Sequence, residues 1–309
     1  MTQIIPVTMD DDFYVSTQVP SYSGAIAKVF KSEHGLMEIY KQYDLELSEW
    51  PVTYEEQVLH STFGTTYCIM CGNPNNPPLV MIHGLGVNST SFHNNIEQLS
   101  KKFRVYLLDF PGGSGRSVPS QLMLKKRDVA AWLTDAISQI ENRQVTVLGA
   151  SFGSWVAVEY ALTKPKQLAK LILTAPPPLA GKAKLKISTL MKMIFLGLNK
   201  NKKNMEKLCK LLSAPNYIPD NRTVTAIYNG LKYTKSFKES GHTIKKNLAN
   251  EIMTPIHFIM GEHDMLCDPA SLPSHFPKAY VTVIENAGHL VGIEQSDKFN
   301  KAIIESMEL

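Results

Sequence analysis

The pentapeptide Gly149-Ala150-Ser151-Phe152-Gly153 constrains this chain more than any other feature. It follows the β-rich apolar run Val145-Thr146-Val147-Leu148 and precedes a helical pattern. Gly149 and Gly153 carry no side chains, so the backbone can turn sharply from strand into helix there. Such a turn lifts the Ser151 hydroxyl out of a sheet and sets it at a helix start, where backbone N–H groups lack intrahelical partners. A serine held this way is placed to attack a carbonyl carbon. Glycine and serine are common in turns of every kind. The pentapeptide therefore becomes diagnostic only if the rest of the chain supplies matching strand ends and partner groups.

The surrounding pattern alternates. Short continuous apolar runs at 79–82, 103–108, 145–148, 168–174, 255–260 and 280–284 read as buried strands. Helical patterns at 91–101, 123–140, 152–162 and 297–307 separate or follow them, with Ala130, Leu133, Ile137 and Ile140 on one face of the second. This predicts an α/β fold with a mostly parallel sheet covered by helices on both faces. Ahead of it, residues 52–59 and 65–71 can pair as a hairpin with Gly64 near the turn. A helix is expected over 25–43.

One segment breaks the alternation. Residues 177–250 contain helical stretches but no strand. They hold fifteen Lys and Arg against three acidic residues, about +12, while the rest of the chain is about −8. Ile187, Leu190, Met191, Ile194, Phe195 and Leu198 recur there at helical spacing. The expected organisation is a helical extension at 1–50, a core made of 51–176 and 251–309, and a helical cap inserted at 177–250 that roofs a pocket.

A serine hydroxyl needs a histidine to take its proton and a carboxylate to fix that histidine's tautomer. In a parallel sheet such groups belong just past the carboxyl ends of strands. Gly261-Glu262-His263-Asp264 follows the 255–260 strand, and Glu285-Asn286-Ala287-Gly288-His289 follows the 280–284 strand. The candidate catalytic set is therefore Ser151 as nucleophile, His289 as base and Asp264 as orienting acid. His263 adjoins Asp264 in sequence, but a triad needs neighbours in space, and Asp268 is the reserve acid. The oxyanion needs two N–H donors. Phe152, which follows the nucleophile, supplies one, and the glycine-rich His83-Gly84-Leu85-Gly86 supplies the other, through Leu85 or Gly86. His83 is expected to anchor that loop. Asp109-Phe110-Pro111-Gly112-Gly113-Ser114-Gly115-Arg116-Ser117 lacks both the P-loop ending and the G-x-G-x-x-G pattern, so it reads as a tight structural loop.

These residues resemble the α/β-hydrolase superfamily. The likeness rests on His83-Gly84, 109–117, 149–153, Gly261 to Asp264 and Gly288-His289, with 177–250 in the position of a family cap. The lead-in Trp50-Pro51 through Phe63-Gly64-Thr65, then Gly72-Asn73-Pro74, is similar to bacterial carboxylesterase-like proteins. Ser154 departs from relatives that cleave carbon–carbon bonds, many of which carry a second glycine there. The resemblance implies a serine hydrolase cleaving a carboxylic ester through an acyl-enzyme, with no metal or organic cofactor. The alternatives are a lactone, thioester or C–C bond hydrolase on the same triad, or a non-catalytic ligand-binding member of the fold.

Bulk properties narrow the partners. Of the 309 residues, 44% are hydrophobic and 19% charged, as in ordinary globular proteins. No apolar run approaches the roughly 18 residues of a membrane span, and the first residues do not read as a secretory signal, so a cytoplasmic location is expected. Cys68 and Cys71 lie three apart in a strand-like run and point to opposite faces, so they read as structural thiols rather than a metal pair. No basic stripe interleaved with aromatics suggests nucleic-acid binding. The expected partner is a small-molecule ester, anionic or lipophilic in view of the basic cap, without stable membrane insertion; oligomeric state is not legible.

Overall fold

The computed structural model describes residues 19–123, 125–176, 185–235 and 251–308. Residues 1–18 of the expected extension, and 177–184 and 236–250 of the expected insertion, lie outside the described residues. Eight strands form one sheet: β1 (Tyr54–Ser61), β2 (Gly64–Cys71), β3 (Pro78–Ile82), β4 (Arg104–Leu108), β5 (Val145–Ala150), β6 (Leu168–Thr174), β7 (Ile256–Gly261) and β8 (Tyr280–Ile284). Their order is β1-β2-β4-β3-β5-β6-β7-β8. β1 pairs with β2, and β2 with β4, antiparallel; all later neighbours are parallel.

The sheet separates two apolar layers. Along β3, Val80 and Ile82 face one layer with Trp132 and Leu133 of α4 (Lys126–Ile140) and Trp155 and Val156 of α5 (Phe152–Leu162). Leu79 and Met81 face the other, with Ile96 and Leu99 of α3 (His93–Ser100) and Phe299 and Ile303 of the helix Ser296–Ser306. Burial on both faces is why β3 reads as an unbroken apolar run and β4 as one after Arg104. Cys68 belongs to the first layer and Cys71 to the second, and all four cysteines are buried and free.

The strand order positions the site. After β3 the chain leaves toward α3 on one face, and after β5 toward α5 on the other. The loops at the carboxyl ends of these adjacent strands diverge, which opens a crevice there. Asp109, fully buried at the end of β4, holds the neighbouring loop: Oδ1 accepts the Ser89 N–H at 2.9 Å and Oδ2 the Arg116 N–H at 2.7 Å.

The expected helix over 25–43 is two helices, α1 (Ile26–Val29) and α2 (Glu33–Ser48). Phe30 is extended and bridges Thr234, and Ser32 restarts the helix by accepting the Gly35 N–H at 3.1 Å. α2 then enters the core, where Tyr43, Leu47 and Trp50 join the second apolar layer. The buried Arg116 guanidinium locks it there, lying over the rings of Tyr40, Tyr43 and Tyr67 and pairing with Asp44.

Between β6 and β7 the described residues form α6 (Ile187–Leu198), α7 (Lys202–Leu212) and α8 (Asn221–Tyr233). They share a small apolar cluster of Leu196, Met205, Leu208, Cys209 and Val224, against which Leu290 of the core packs. α8 also rests on α2, where Arg222 pairs with Glu46 at 3.2 Å and with Glu49.

Candidate active site

Ser151 sits between β5 and α5 with φ 50° and ψ −111°, a left-handed backbone that a serine adopts only under constraint. The constraint is close packing around the two glycines. A methyl group on Gly149 would lie 2.2 Å from the Gly153 carbonyl oxygen, and one on Gly153 would lie 2.1 Å from that of Ile82. The Ser151 N–H donates to the Thr174 carbonyl at 2.9 Å, tying the turn to β6. Ser154 reinforces it: its buried hydroxyl lies 2.7 Å from the Gly149 carbonyl oxygen and 3.0 Å from that of Thr174. The Ser154 side chain thus bridges β5 and β6 beneath the nucleophile.

His289 Nε2 lies 3.0 Å from Ser151 Oγ. Its Nδ1 lies 3.2 and 3.1 Å from the two carboxylate oxygens of Asp264. Asp264 is fully buried, and its Oδ1 also accepts the Leu266 N–H at 2.8 Å. Nδ1 therefore carries the proton and donates to Asp264, which leaves the Nε2 lone pair toward the serine. Burial of the imidazole alone lowers its pKa, but the charge and hydrogen bonding of Asp264 outweigh burial and hold it above the ordinary histidine value. The two competing candidates are elsewhere. His263 is partly exposed beside Glu262 at 3.5 Å, and Asp268 caps a short 3₁₀ turn by accepting the Ala270 N–H at 3.1 Å.

The loop after β3 lies against the serine. A methyl group on Gly84 would sit 3.6 Å from Ser151 Cβ, and Leu85 projects a half-exposed side chain into the adjoining cavity. Phe152 opens α5, the positive end of that helix. Gly86 is held at φ +76° with its carbonyl packed on Gly230 of α8, so this loop is also wedged from above. His83 is buried with Nδ1 2.8 Å from the Gly84 carbonyl oxygen, while Nε2 accepts the Phe110 N–H at 3.1 Å. With one nitrogen donating and the other accepting it is a neutral anchor, and burial lowers its pKa accordingly.

Sequence reasoning missed Glu294. Its buried carboxylate accepts the N–H groups of Ala214 at 2.6 Å, Gly288 at 3.0 Å and Leu290 at 3.0 Å. The His289 N–H donates to Leu212 at 2.7 Å. A methyl group on Gly288 would come within 2.5 Å of the Leu212 carbonyl oxygen. The histidine loop is thus clamped to the end of α7 from both sides. The signal was available: an acidic residue in an apolar stretch five positions after a candidate base must place its charge somewhere. Glu294→Ala leaves three buried N–H groups unmatched. We expect it to cost about 2–4 kcal/mol of stability in urea unfolding. It should also lower kcat by about 10² through misplacement of His289. An unchanged kcat in folded Glu294→Ala protein contradicts the positioning role.

A cavity of about 520 Å³ opens beside Ser151 and His289. Its walls are apolar: Leu190 and Ile194 come from α6, Leu208 and Leu212 from α7, and Ile227 and Leu231 from α8. The volume is that of a small-molecule site. Among the described residues no group of three or more His, Cys, Asp or Glu is arranged to hold a metal ion, and no helix is long and apolar enough to cross a membrane.

Comparison with known proteins agrees with this architecture. A model of the α/β hydrolase fold matches residues 77–206. An uncharacterized carboxylesterase, nap, of Bacillus subtilis (strain 168) is 26% identical over 293 residues, covering 88% of this chain and 93% of that protein. Carboxylesterase YbfK of the same strain is 25% identical over 289 residues, covering 88% and 94%. The crystal structure of naproxen esterase (carboxylesterase NP) from B. subtilis superposes with a TM-score of 0.79 at 23% identity, over 89% of this chain and 99% of that one.

Proposed function

We propose that this chain, which has the α/β-hydrolase fold and resembles bacterial carboxylesterases, is a serine hydrolase that cleaves a carboxylic ester through an acyl-enzyme. The observation that carries the reading is the Ser151 Oγ to His289 Nε2 contact of 3.0 Å, with Asp264 behind the ring. Ser151 Oγ attacks the ester carbonyl as His289 Nε2 takes its proton. The tetrahedral oxyanion collects the amides of Phe152 and Leu85, helped by the positive end of α5. His289 returns the proton to the leaving alcohol, and Ser151 remains acylated. Water, deprotonated by the same nitrogen, then releases the acid and restores the serine. Asp264 fixes the tautomer and stabilises the imidazolium.

Residues 177–250 act in this reading as a cap whose apolar residues select the substrate. The apolar lining favours a lipophilic group on the cavity side of the carbonyl. Each buried methylene is worth about 0.8 kcal/mol, or roughly fourfold in kcat/KM. Across a p-nitrophenyl ester series, kcat/KM should climb by about that factor per carbon until the cavity fills, then level. A profile that is flat or falls from acetate onward contradicts the seating of a lipophilic acyl group in this cavity.

The reaction needs neutral His289, whose pKa is raised. Activity must therefore fall as pH drops, and the higher the histidine pKa, the higher the pH at which the fall occurs. The acid limb of kcat/KM should have its midpoint above the ordinary histidine value of about 6.5. A midpoint below that value contradicts the proposed Asp264–His289 coupling.

A further inference from the structure

α6 carries an apolar stripe that its packing leaves uncovered. Ile187, Leu190, Met191, Ile194, Phe195 and Leu198 follow i, i+3, i+4, i+7, i+8, i+11 spacing, and every one is exposed, Ile187 to 81% and Phe195 to 62%. On this helix only Leu196 is buried, with Met193 packed beside it. Docking therefore accounts for one narrow side of α6 and leaves a continuous three-turn apolar stripe in solvent. A stripe of this kind on one helix is unlike the scattered surface apolar residues of ordinary proteins.

Two further observations say what covers it. Lys186 and Lys192 flank the stripe on its two sides, and Lys200, Lys202 and Lys203 follow at the turn into α7. Within described residues 185–235 there are ten Lys and Arg against Glu206 and Asp220. An apolar face bordered by long basic side chains matches the interface of an anionic bilayer, where acyl chains receive the apolar groups and lysines reach back to the phosphates. In addition, Leu190 and Ile194 belong both to the stripe and to the wall of the cavity beside Ser151. The surface and the site are continuous.

We propose that α6 is an interfacial anchor that seats the protein on anionic lipid, so that a lipophilic ester passes from the bilayer past Leu190 and Ile194 to Ser151. The anchoring stands on the α6 surface, whereas the delivery step rests on the ester-hydrolase reading above. The helix lies in the headgroup plane and does not span.

The test uses the full chain with phosphatidylcholine vesicles made with and without phosphatidylglycerol. The native protein should co-sediment with the anionic vesicles, weakly or not at all with the neutral ones, and less as salt rises. Met191→Glu/Phe195→Glu replaces two stripe residues that do not line the cavity. It should reduce vesicle binding more than tenfold while hydrolysis of a soluble short-chain ester is unchanged and hydrolysis of a vesicle-dissolved long-chain ester falls. Lys192→Glu should weaken anionic binding by about fivefold or more per charge removed. No binding of native protein to anionic vesicles, equal binding to neutral ones, or native-like binding by the double variant would overturn the proposal. So would a native dimer in gel filtration that Met191→Glu/Phe195→Glu converts to monomer, because a second copy would then cover the stripe. Sedimentation is read without catalysis. Inactivity of every form on soluble ester would sink the hydrolase reading while leaving the anchoring result standing.

Discussion

Ser151→Ala protein is expected to fold as the native chain does and to hydrolyse an activated ester with kcat lower by about 10⁶. The substitution removes a single oxygen. Alanine meets the same backbone demand at φ 50°, and the turn keeps its bonds from the Ser151 N–H and the Ser154 hydroxyl to Thr174. The cavity is likewise unaltered, so substrate binding should persist. Any residual rate over water comes from the oxyanion donors and from binding. Circular dichroism establishes the fold and single-turnover assays the rate. A variant within tenfold of native kcat would show that another nucleophile does the work.

Asp264→Asn should lower kcat by about 10³–10⁴. In the native site, Asp264 Oδ1 accepts the Leu266 N–H at 2.8 Å and also lies near the Cys267 N–H, while Oδ2 faces His289 Nδ1. An asparagine keeps the first pair of bonds only by turning its oxygen that way, which points its NH₂ at Nδ1. Nδ1 must then accept, the ring proton moves to Nε2, and Nε2 can no longer take the serine proton. The lost negative charge also removes what raises the His289 pKa, so the remaining acid limb should move to lower pH. The pH profile separates this from simple destabilisation, which would leave the midpoint in place. A variant with near-native kcat would exclude Asp264 as the orienting acid.

The legible parts of this protein are those where chemistry and backbone geometry coincide at a strand end. Ser151, Asp264 and His289 were legible as candidates because each follows a short apolar run, and the parallel sheet then gathers those strand ends. The central strands themselves were legible because burial on both faces keeps them mostly apolar, β3 entirely so. What escaped depends on partners distant in sequence. The expected helix over 25–43 is interrupted at Phe30. The interruption at Phe30 exists because that residue bridges Thr234, about two hundred positions away. Glu294 is marked in the sequence only as an acid in an apolar stretch; its role comes from the Gly288–Leu290 backbone and Ala214, whose N–H groups converge on its carboxylate. The Arg116 side chain, read as part of a tight loop, turned out to lie within a cluster of tyrosines from α2 and β2. The apolar spacing of α6 was visible in the sequence as a pocket roof. That all six of its stripe residues are also exposed follows from packing, which periodicity does not encode.

Covalent labelling with a fluorophosphonate tests the central claim most directly, because the reagent needs an activated serine and an oxyanion site but no knowledge of the natural ester. Intact-mass analysis should give one adduct per chain, peptide mapping should place it on Ser151, and Ser151→Ala should give none. No adduct on the native chain, an adduct on another residue, or equal labelling of Ser151→Ala would contradict the assignment of Ser151 as the nucleophile.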